Sequence, residues 1–490
     1  MIAKDHAPPG TPLSLSPRVN EAEAAEVVCV DLDGTLIAGD LLWEAFVRLC
    51  TQHPLQAIKA LFSVWMGRAA FKQRVAAAVP LAPETLPYRQ ELLDELAALR
   101  QQGAHLVLAT ATDERYAHAV AGHLGLFADV VASDGRTNLS GSRKAAALEE
   151  RYGARGFHYL GNDWSDVPVW KAARTATAIA APPRLVRHLT KLRIAARVVG
   201  TRHRWTSMAR ALRPHQWVKN FLVFVPLLGA HTILQPLLLR RSVLTFVAFC
   251  LCASAIYVLN DICDIEADRR HPSKRRRPFA SGELSIPTGV VLAATLLAGA
   301  AVVSILTLSW SVTIVLGTYV VATSAYSLIL KREPVWDVFT LTGLYLLRIL
   351  GGGVATHTFL SSWLLGFALF IFLSLAFIKR YTELLTTDGS PPGRAYRRED
   401  ALWMHAVGTS SGYMAVLVLA LYINAPEVTM LYRQPQVLWC LCPLFLFWVT
   451  RLWFRASRRE IHNDPVVEAL TDWFSYVGLG VMAAIVLIAI

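Results

Sequence analysis

The stretch NDICDIEAD, Asn260–Asp268, is the most informative segment of the larger part of this chain. It closes an apolar run, residues 242–262, that is long enough to cross a membrane as a helix. The spacing i, i+3, i+7 of Asp261, Asp264 and Asp268 predicts that the three carboxylates share one helix face. They would repel one another unless cations lay between them, and Mg²⁺ with a diphosphate is the natural occupant, because Mg²⁺ binds few carboxylates together with phosphate oxygens. An ordinary charge cluster beside the membrane is the alternative.

The composition also indicates a membrane protein with a soluble part. Of the 490 residues, 54% are hydrophobic and only 17% are charged, whereas soluble chains carry roughly 25% charged residues. The net charge of +12 is explained better by basic cytoplasmic loops than by nucleic-acid binding, because the sequence has no basic module interleaved with aromatic residues. The seven cysteines form no CxxC pair and are expected to be small core residues in a reducing compartment.

Nine apolar runs predict nine membrane spans. The predicted spans are residues 217–235, 242–262, 285–306, 310–330, 335–356, 361–382, 406–425, 435–454 and 469–489, of which the first is the weakest. Alternate loops between them are rich in Lys and Arg, which predicts that these loops lie in the cytoplasm. This arrangement predicts a multi-pass protein of the cytoplasmic membrane, with the N-terminal part in the cytoplasm and the C-terminus on the far side.

Four segments are predicted along the chain. Residues 1–26 are expected to be a disordered lead-in, residues 27–181 a soluble α/β domain, residues 182–213 a basic connector and residues 214–490 the all-α membrane domain. The connector could be either an amphipathic helix on the membrane surface or a solvated linker.

The soluble domain shows the pattern of a doubly wound parallel sheet. Apolar runs that end at polar residues predict three buried strands: residues 27–30 before Asp31, 106–109 before Thr110 and 157–160 before Asn162. Helical stretches lie between these runs, and residues 41–90 are predicted to form a small helical cap. Ligands of such sheets bind at the carboxyl ends of the strands, where these polar residues lie.

These residues suit the chemistry of phosphate esters. Asp31 and Asp33 directly follow the first strand, so that one carboxylate can attack phosphorus while the other protonates the leaving oxygen and later activates water. Thr110 can donate a hydrogen bond to a phosphoryl oxygen, Lys144 can neutralise developing charge, and Asp166 can hold Mg²⁺.

In this order, the set resembles the haloacid dehalogenase (HAD) phosphatase superfamily over residues 27–181. The resemblance implies that Asp31 is the nucleophile and Asp33 the acid/base. It also implies that Thr110 is the hydroxyl of the second motif, Lys144 the ammonium of the third motif and Asp166 a metal ligand. Asp31 and Asp33 would bind the Mg²⁺ as well. One departure is Asn162, which occupies the first acidic place of the fourth motif and for which Asp163 could substitute. A noncatalytic domain kept for assembly or regulation is the alternative.

The Asp-rich stretch resembles the first motif of the UbiA superfamily of intramembrane prenyltransferases. A finer resemblance, over about residues 210–490, is to its decaprenyl-phosphate phosphoribosyltransferase-like branch. It is carried by RPHQWVKN (213–220), HPSKRRRP (271–278), YSLILK (326–331), RILGGGVA (348–355) and KRYTE (379–383). Prenyltransferases usually carry a second Asp-x-x-x-Asp motif, but here Asp337 is followed four residues on by Leu341. The missing carboxylate argues against a prenyl diphosphate donor.

The resemblance implies transfer of 5-phosphoribose from phosphoribosyl diphosphate (PRPP) to a polyprenyl phosphate. Asp261 and Asp264 would be catalytic and, with Asp268, would hold Mg²⁺. Contacts to the two substrates are expected from twelve further residues: Lys219, Asn220, Asn260, Lys274, Arg275, Arg277, Tyr326, Lys331, Asp337, Arg348, Lys379 and Arg380. The fused phosphatase would remove the 5-phosphate. A prenyltransferase with a prenyl diphosphate donor remains the alternative, and a homo-oligomer is left open.

Overall fold

The computed structural model describes residues 26–194, 196–199, 204–386, 395–426, 432–461, 468 and 472–489. Nearly all of the predicted lead-in therefore lies outside the described residues. The chain forms two compact units. The first consists of the described residues up to Leu212 together with Val258–Leu292, and the second of Arg213–Tyr257 together with the described residues from Ala293 onward. The Asp-rich segment thus belongs to the first unit.

The first unit contains a six-stranded parallel sheet with the order β3-β2-β1-β4-β5-β6. The strands are β1 Val27–Val30, β2 His105–Asp113, β3 Asp129–Ser133, β4 Phe157–Gly161, β5 Thr175–Ile179 and β6 Ala196–Val199. The three predicted strands are β1, β2 and β4, so the predicted α/β fold is confirmed. β6 lies in the predicted connector, which is therefore not merely a linker or a surface helix.

Apolar side chains on both faces explain why the central strands are parallel and buried. Val28 and Val30 belong to one hydrophobic core, while Cys29 belongs to a second core that includes Phe157 and Tyr159. Helices cover both faces, as a parallel sheet requires. The strand order reverses between β1 and β4, and ligands of such sheets bind in the crevice at this switch point. Asp31 and Asn162 follow these two strands.

Helices complete the first unit. The predicted cap consists of Leu41–Gln52, Pro54–Phe62 and Arg68–Ala78. The other helices are Gln90–Gln101, Glu114–Leu124, Ser142–Tyr152, Val167–Ala172, Pro183–Lys191, Arg204–Ala211 and Ile265–Arg270. Asp40 caps the first cap helix by accepting a hydrogen bond from the Trp43 amide, and this cap fixes where the chain turns into the helix after the Asp31–Thr35 loop.

Seven helices among the described residues are long and apolar enough to cross a membrane. They are Pro236–Cys263, Ile286–Thr307, Trp310–Leu328, Trp336–Thr356, Ser362–Thr386, Asp400–Ile423 and Pro435–Ser457, the last beginning as a 3₁₀ helix. Each coincides with a predicted span. The prediction of nine spans is not confirmed.

The two remaining predicted spans have other structures. The first is a 3₁₀ helix, Pro214–Phe224, followed by the short helix Val225–Gly229. Its polar residues Lys219 and Asn220 are only 8% and 0% exposed, whereas Phe221 and Leu228 of the same segment are exposed, so one side of the segment packs inside the protein. The last is the 17-residue apolar helix Trp473–Ala489, which is shorter than the about 20 residues of a typical span.

Candidate functional site

The carboxyl edge of the sheet brings the predicted phosphatase residues together. A cavity of about 400 Å³ at this edge is lined by Asp31, Asp33, Thr110, Lys144 and Asn162. Asp163 also lines it. These residues come from the ends of three strands and from one helix, so the fold itself gathers a set that is dispersed over 130 residues of sequence.

Lys144 is the centre of a buried network. Its Nζ donates to Asp31 Oδ1 at 2.8 Å and to the Tyr159 hydroxyl at 2.9 Å, and it lies 3.5 Å from Asp166 Oδ1. Asp166 Oδ2 accepts hydrogen bonds from the Asn162 and Asp163 amides at 2.9 and 3.0 Å. Asp166, the predicted metal ligand, thus shapes the loop after β4 and holds Lys144 beside Asp31.

Asp33 is held by the start of the cap. Its Oδ1 accepts a hydrogen bond from the Leu41 amide at 2.9 Å, and its Oδ2 accepts one from the Thr112 hydroxyl. Thr110 Oγ1 accepts a hydrogen bond from the Thr112 amide at 3.1 Å, which links the two threonines in the irregular last part of β2. The carboxylate of Asp33 is therefore fixed at the cavity and separate from that of Asp31.

Burial raises the pKa of both carboxyl groups. Desolvation raises the pKa of Asp31, and the positive charge of Lys144 opposes the rise. Desolvation also raises the pKa of Asp33, with a further contribution from the negative charge of Asp40. The cationic neighbour suits Asp31 to be the charged nucleophile, whereas Asp33 is suited to hold a proton for a leaving group.

The loop after β4 lies directly against the loop after β1. Gly34 has a φ of +78°, and a Cβ atom at this position would lie 2.0 Å from Nδ2 of Asn162. Only glycine allows this approach without displacing Asn162. Asp31, Asp33 and Asn162 together offer carboxylate and amide oxygens, which are the ligands Mg²⁺ prefers. This donor set fits Mg²⁺ even with an amide in place of the usual acid.

Sequence analysis missed three residues of this site. Lys72, on the cap helix Arg68–Ala78, lines the cavity and donates to the Ala111 carbonyl at 2.5 Å and to Asn138 Oδ1 at 2.8 Å. Thr112 and Tyr159 were missed as well. The alternation along HLVLATATD points Thr110 and Thr112 to the same side of β2, so that signal was present for Thr112.

The Asp-rich segment is not one continuous helix. The helix Pro236–Cys263 ends before Asp264, and a separate helix, Ile265–Arg270, follows. Asp261 and Asp268 are buried and face the same guanidinium: Arg277 Nη1 donates to Asp261 Oδ1 at 3.1 Å and to Asp268 Oδ2 at 2.7 Å. Burial raises the pKa of Asp268, and Arg277 opposes the rise. The prediction of three carboxylates around Mg²⁺ stays a prediction, and in the structure two of them converge on the guanidinium of Arg277.

The other predicted site residues of this region lie close to Asp261 and Asp268 in the sequence. Asp264 is half-buried, and its amide donates to the Asn260 carbonyl at 2.9 Å. Lys274 and Arg275 are exposed on a 3₁₀ turn. Across the described residues, no three His, Cys, Asp or Glu side chains are gathered into a ready metal site. Two converging carboxylates fit Mg²⁺ that completes its shell with substrate phosphate oxygens.

In the second unit, Asp337 is neutralised by Arg380. Arg380 Nη2 donates to Asp337 Oδ1 at 2.8 Å and Arg380 Nε donates to Asp337 Oδ2, while the Tyr326 hydroxyl donates to Oδ1 at 2.9 Å. Arg380 Nη1 also donates to Glu383 Oε2 at 2.7 Å. The side chains of Asp337 and Arg380 are 0% and 1% exposed. A buried guanidinium therefore provides the positive charge beside this carboxylate.

Arg348 organises a second buried cluster. Its Nε donates to Asn220 Oδ1 at 2.7 Å, its Nη2 donates to the Tyr319 hydroxyl at 2.9 Å, and its Nη1 donates to the Leu344 carbonyl. Asn220 Nδ2 in turn lies 3.2 Å from Cys250 Sγ. The predicted Asn220 and Arg348 are thus brought together. Lys219 is buried, and Lys331 and Lys379 are half-buried.

The Asp337–Arg380 pair leads to a stability prediction. Asp337→Asn removes the buried counter-charge of Arg380 and leaves only the more exposed Glu383 beside the guanidinium, and breaking a buried pair in this way costs about 3–5 kcal/mol. We expect a clear drop in the melting temperature of the purified protein in detergent. Glu383→Gln changes the more exposed partner of the same arginine and is the matched control, for which a small change is expected. Equal melting temperatures for Asp337→Asn and wild type would contradict the structural importance of the pair.

Comparison with known proteins identifies a family for each part of the chain. Residues 221–465, half of the chain, match the UbiA prenyltransferase family. The chain belongs to the UbiA prenyltransferase family. Residues 28–171 match the haloacid dehalogenase-like hydrolases, so this UbiA protein carries an N-terminal HAD-like domain. Enzymes of both families are Mg²⁺-dependent in general.

Three relatives illustrate the two parts of this UbiA protein. Protein y4nM of Sinorhizobium fredii is 33% identical over 484 residues, which cover 94% of this chain and 93% of the relative. Nodulation protein NoeC of Azorhizobium caulinodans is 38% identical over 271 residues, which cover 54% of this chain and 88% of the relative. Decaprenyl-phosphate phosphoribosyltransferase of Mycobacterium tuberculosis is 35% identical over 227 residues, which cover 44% of this chain and 73% of the relative.

Proposed function

We propose that this UbiA protein transfers 5-phosphoribose from PRPP to a polyprenyl phosphate, and that its HAD-like domain then removes the 5-phosphate. Similarity to the mycobacterial decaprenyl-phosphate phosphoribosyltransferase supports the first step. The cavity with Asp31, Asp33 and Lys144 supports the second. The two activities form a sequence, because the first makes a phosphate monoester that the second can hydrolyse.

The observation that carries the choice of donor is the pairing of Asp337 with Arg380. A prenyl diphosphate donor is usually held by two Asp-rich motifs, each of which binds Mg²⁺. In this chain the only carboxylate at the second motif accepts hydrogen bonds from Arg380 and Tyr326 through both of its oxygens. With both oxygens bonded to a fully buried guanidinium, Asp337 is a poor Mg²⁺ ligand, because the metal would have to displace Arg380. The Asp-rich segment differs, because Arg277 is 28% exposed and bonds to one oxygen each of Asp261 and Asp268. This favours a donor that needs one Asp-rich motif.

In the proposed transfer, the diphosphate of PRPP is assigned to the Asp-rich segment. Asp261, Asp264 and Asp268 would hold it through Mg²⁺, which supplies positive charge for the leaving diphosphate. Lys274 and Arg275, exposed on the following turn, add donors for phosphate oxygens.

The acceptor phosphate is assigned to the basic residues of the second unit, Lys219, Lys331 and Lys379. An oxygen of the polyprenyl phosphate bonds to the anomeric carbon of the ribose as the bond from that carbon to the diphosphate breaks. The lipid phosphate is already ionised, so no strong general base is needed. The products are polyprenyl-phosphoryl-5-phosphoribose and diphosphate.

The proposed hydrolysis uses the residues at the sheet edge. The Asp31 carboxylate attacks the 5-phosphate, and Asp33 protonates the ribose oxygen that leaves. Asp33 then removes a proton from the water that releases inorganic phosphate, while Lys144 and Thr110 stabilise the charge on the phosphoryl oxygens. The lipid product is polyprenyl-phosphoryl-ribose. We place both activities at the cytoplasmic side of the cytoplasmic membrane, because the basic loops are expected there.

A dual-label assay tests the donor. Purified protein with Mg²⁺ and polyprenyl phosphate is offered PRPP labelled in the ribose, and in a parallel reaction a labelled prenyl diphosphate with aromatic acceptors. We expect ribose label in the lipid fraction and no product from the prenyl diphosphate. EDTA should abolish the incorporation, and restored Mg²⁺ should recover it.

The opposite labelling pattern would overturn the proposal and establish a prenyltransferase. Ribose label that enters lipid but keeps its 5-phosphate would instead separate the two halves of the proposal. In that case the transfer stands, and the HAD-like domain is a noncatalytic or regulatory part of the chain.

A further inference from the structure

The cavity of the HAD-like domain has two unlike walls. One is polar and consists of the catalytic set at the ends of the strands. The other comes from residues 279–287, which follow the Asp-rich segment in sequence and belong to the same compact unit. The residues of this stretch that line the cavity are Phe279, Gly282, Leu284, Ser285, Ile286 and Pro287. Four of these six residues have apolar side chains, in contrast to the catalytic set.

This stretch is in direct contact with the catalytic loop. Gly282 has a φ of +74°, and a Cβ atom there would lie 2.3 Å from the carbonyl oxygen of Ala38. Ala38 follows the Asp31–Thr35 loop closely in sequence. Phe279 and Leu284, on either side of the glycine, are buried. The wall is therefore packed tightly against the HAD-like domain and its position is well defined.

One ion pair ties the wall to the cap. Arg269 Nη1 and Nη2 donate to the two carboxylate oxygens of Glu44, on the first cap helix, at 2.7 and 2.8 Å. Arg269 Nε donates to the Ala280 carbonyl, within the wall, at 2.9 Å. The side chains of Arg269 and Glu44 are 8% and 16% exposed. A bidentate pair at this burial fixes geometry as well as charge.

A second pair joins the same elements. Arg48, one turn further along the cap helix, lies 3.1 Å from Glu266 on the Asp-rich segment. This pair is about one-third exposed and contributes little by itself. Its presence shows that the cap helix and the Asp-rich segment meet along a face and not at a single point.

We propose that residues 279–287, held in place by Arg269 and Glu44, form the wall that gives the phosphatase its substrate preference. The polar wall binds the phosphoryl group, so the alcohol of the ester must lie toward the apolar wall. An ester whose alcohol carries an apolar chain gains contact with this wall, whereas a small polar sugar phosphate does not. The preferred substrate class is thus a lipid-linked phosphosugar. The identity of that sugar rests on the proposed function, but the preference for an apolar alcohol does not.

The test compares two esters on the purified full-length protein. The probes are farnesyl-phosphoryl-5-phosphoribose and ribose 5-phosphate, and the measured quantity is the ratio of their kcat/KM values. Wild type should prefer the farnesyl-linked ester. Ser285→Trp, which fills the cavity from the wall, should lower the ratio by about tenfold, and ribose 5-phosphate hydrolysis should fall far less. Ser281→Trp, on the same stretch but lining a different pocket, is the matched control and should keep the wild-type ratio.

The ion pair is tested in parallel. Arg269→Gln should lower the ratio by loosening the wall, and the charge swap Glu44→Arg with Arg269→Glu should restore part of it. Equal losses on both esters would mean that these residues only maintain the fold, and this would overturn the inference. A ratio that neither Ser285→Trp nor Arg269→Gln changes would overturn it too.

The outcomes separate this inference from the proposed function. If the wild-type protein favours the farnesyl-linked ester, with a ratio that the wall variants lower, and yet transfers no ribose from PRPP in the dual-label assay, only the proposed transfer is contradicted. Transfer and hydrolysis with no effect of the wall variants contradict only the inference. If the wild-type protein hydrolyses neither ester, both the proposed role of the wall and the proposed phosphatase activity are contradicted.

Discussion

Asp31→Asn is expected to stop dephosphorylation and leave phosphoribosyl transfer intact. The amide that replaces the carboxylate still fits beside Lys144 but cannot form an acyl phosphate, so phosphate release should fall by about a thousandfold or more. The lipid product should therefore accumulate with its 5-phosphate. Mass analysis of the lipid fraction and a phosphate-release assay, both started with PRPP and polyprenyl phosphate, measure the two steps separately.

The control for this variant is Asp134→Asn, an exposed acid of the same domain whose side chain accepts hydrogen bonds from the Arg136 and Thr137 amides. It should release phosphate at the wild-type rate. Wild-type dephosphorylation by Asp31→Asn would show that another group performs the hydrolysis. Loss of both transfer and hydrolysis in this variant would show that the two activities are not separable.

The cavity of the HAD-like domain was predictable because the signals for its residues are local. Each strand of the predicted sheet is an apolar run that ends at a polar residue, and parallel strands bring such ends together at one edge. Asp31, Thr110 and Asn162 follow this rule, and all three line the cavity. Lys72 does not, because it lies on a cap helix whose direction toward the cavity is set by packing and not by any motif.

The wall of residues 279–287 could not be predicted either, because its position also depends on packing and not on a local motif. Glu44 and Arg269 are 225 residues apart in sequence, and each taken singly is an ordinary surface charge. Their pairing depends on how the cap packs against the Asp-rich segment. That packing arises from many weak contacts and leaves no periodic trace in the sequence.

The membrane spans show where hydropathy fails. The run 217–235 is apolar enough to suggest a span, but it contains Lys219, Asn220 and Pro226. In the structure Asn220 is hydrogen-bonded to Arg348, and the segment forms a 3₁₀ helix and a short α-helix. A hydropathy window cannot distinguish apolar residues that pack inside a protein from apolar residues that face lipid. The polar residues Lys219 and Asn220 within the run are the sequence feature that weakens it as a span, and both side chains are buried.

Asp261→Asn is expected to lower phosphoribosyl transfer by about 10²–10³-fold and to leave hydrolysis of an added phosphate ester intact. Asp261 is one of two buried carboxylates that converge on Arg277, so its loss removes one of the three negative charges assigned to the divalent cation. The Mg²⁺ concentration that gives half-maximal transfer should also rise. Initial rates of ribose incorporation over a Mg²⁺ series give both quantities.

The matched control is Glu266→Gln, an acid on the same segment whose side chain pairs with Arg270 and Arg48. It removes the same charge from the same stretch, so any general electrostatic effect on PRPP binding should appear in both variants. Only a carboxylate that holds the cation should shift the Mg²⁺ dependence. If the two variants behave alike, the Asp-rich segment acts as a charge cluster and not as the diphosphate site. Arg277 already places a positive charge between Asp261 and Asp268. A change in Mg²⁺ dependence that occurs in Asp261→Asn but not in Glu266→Gln would therefore mean that Mg²⁺ and the diphosphate displace the guanidinium from these carboxylates.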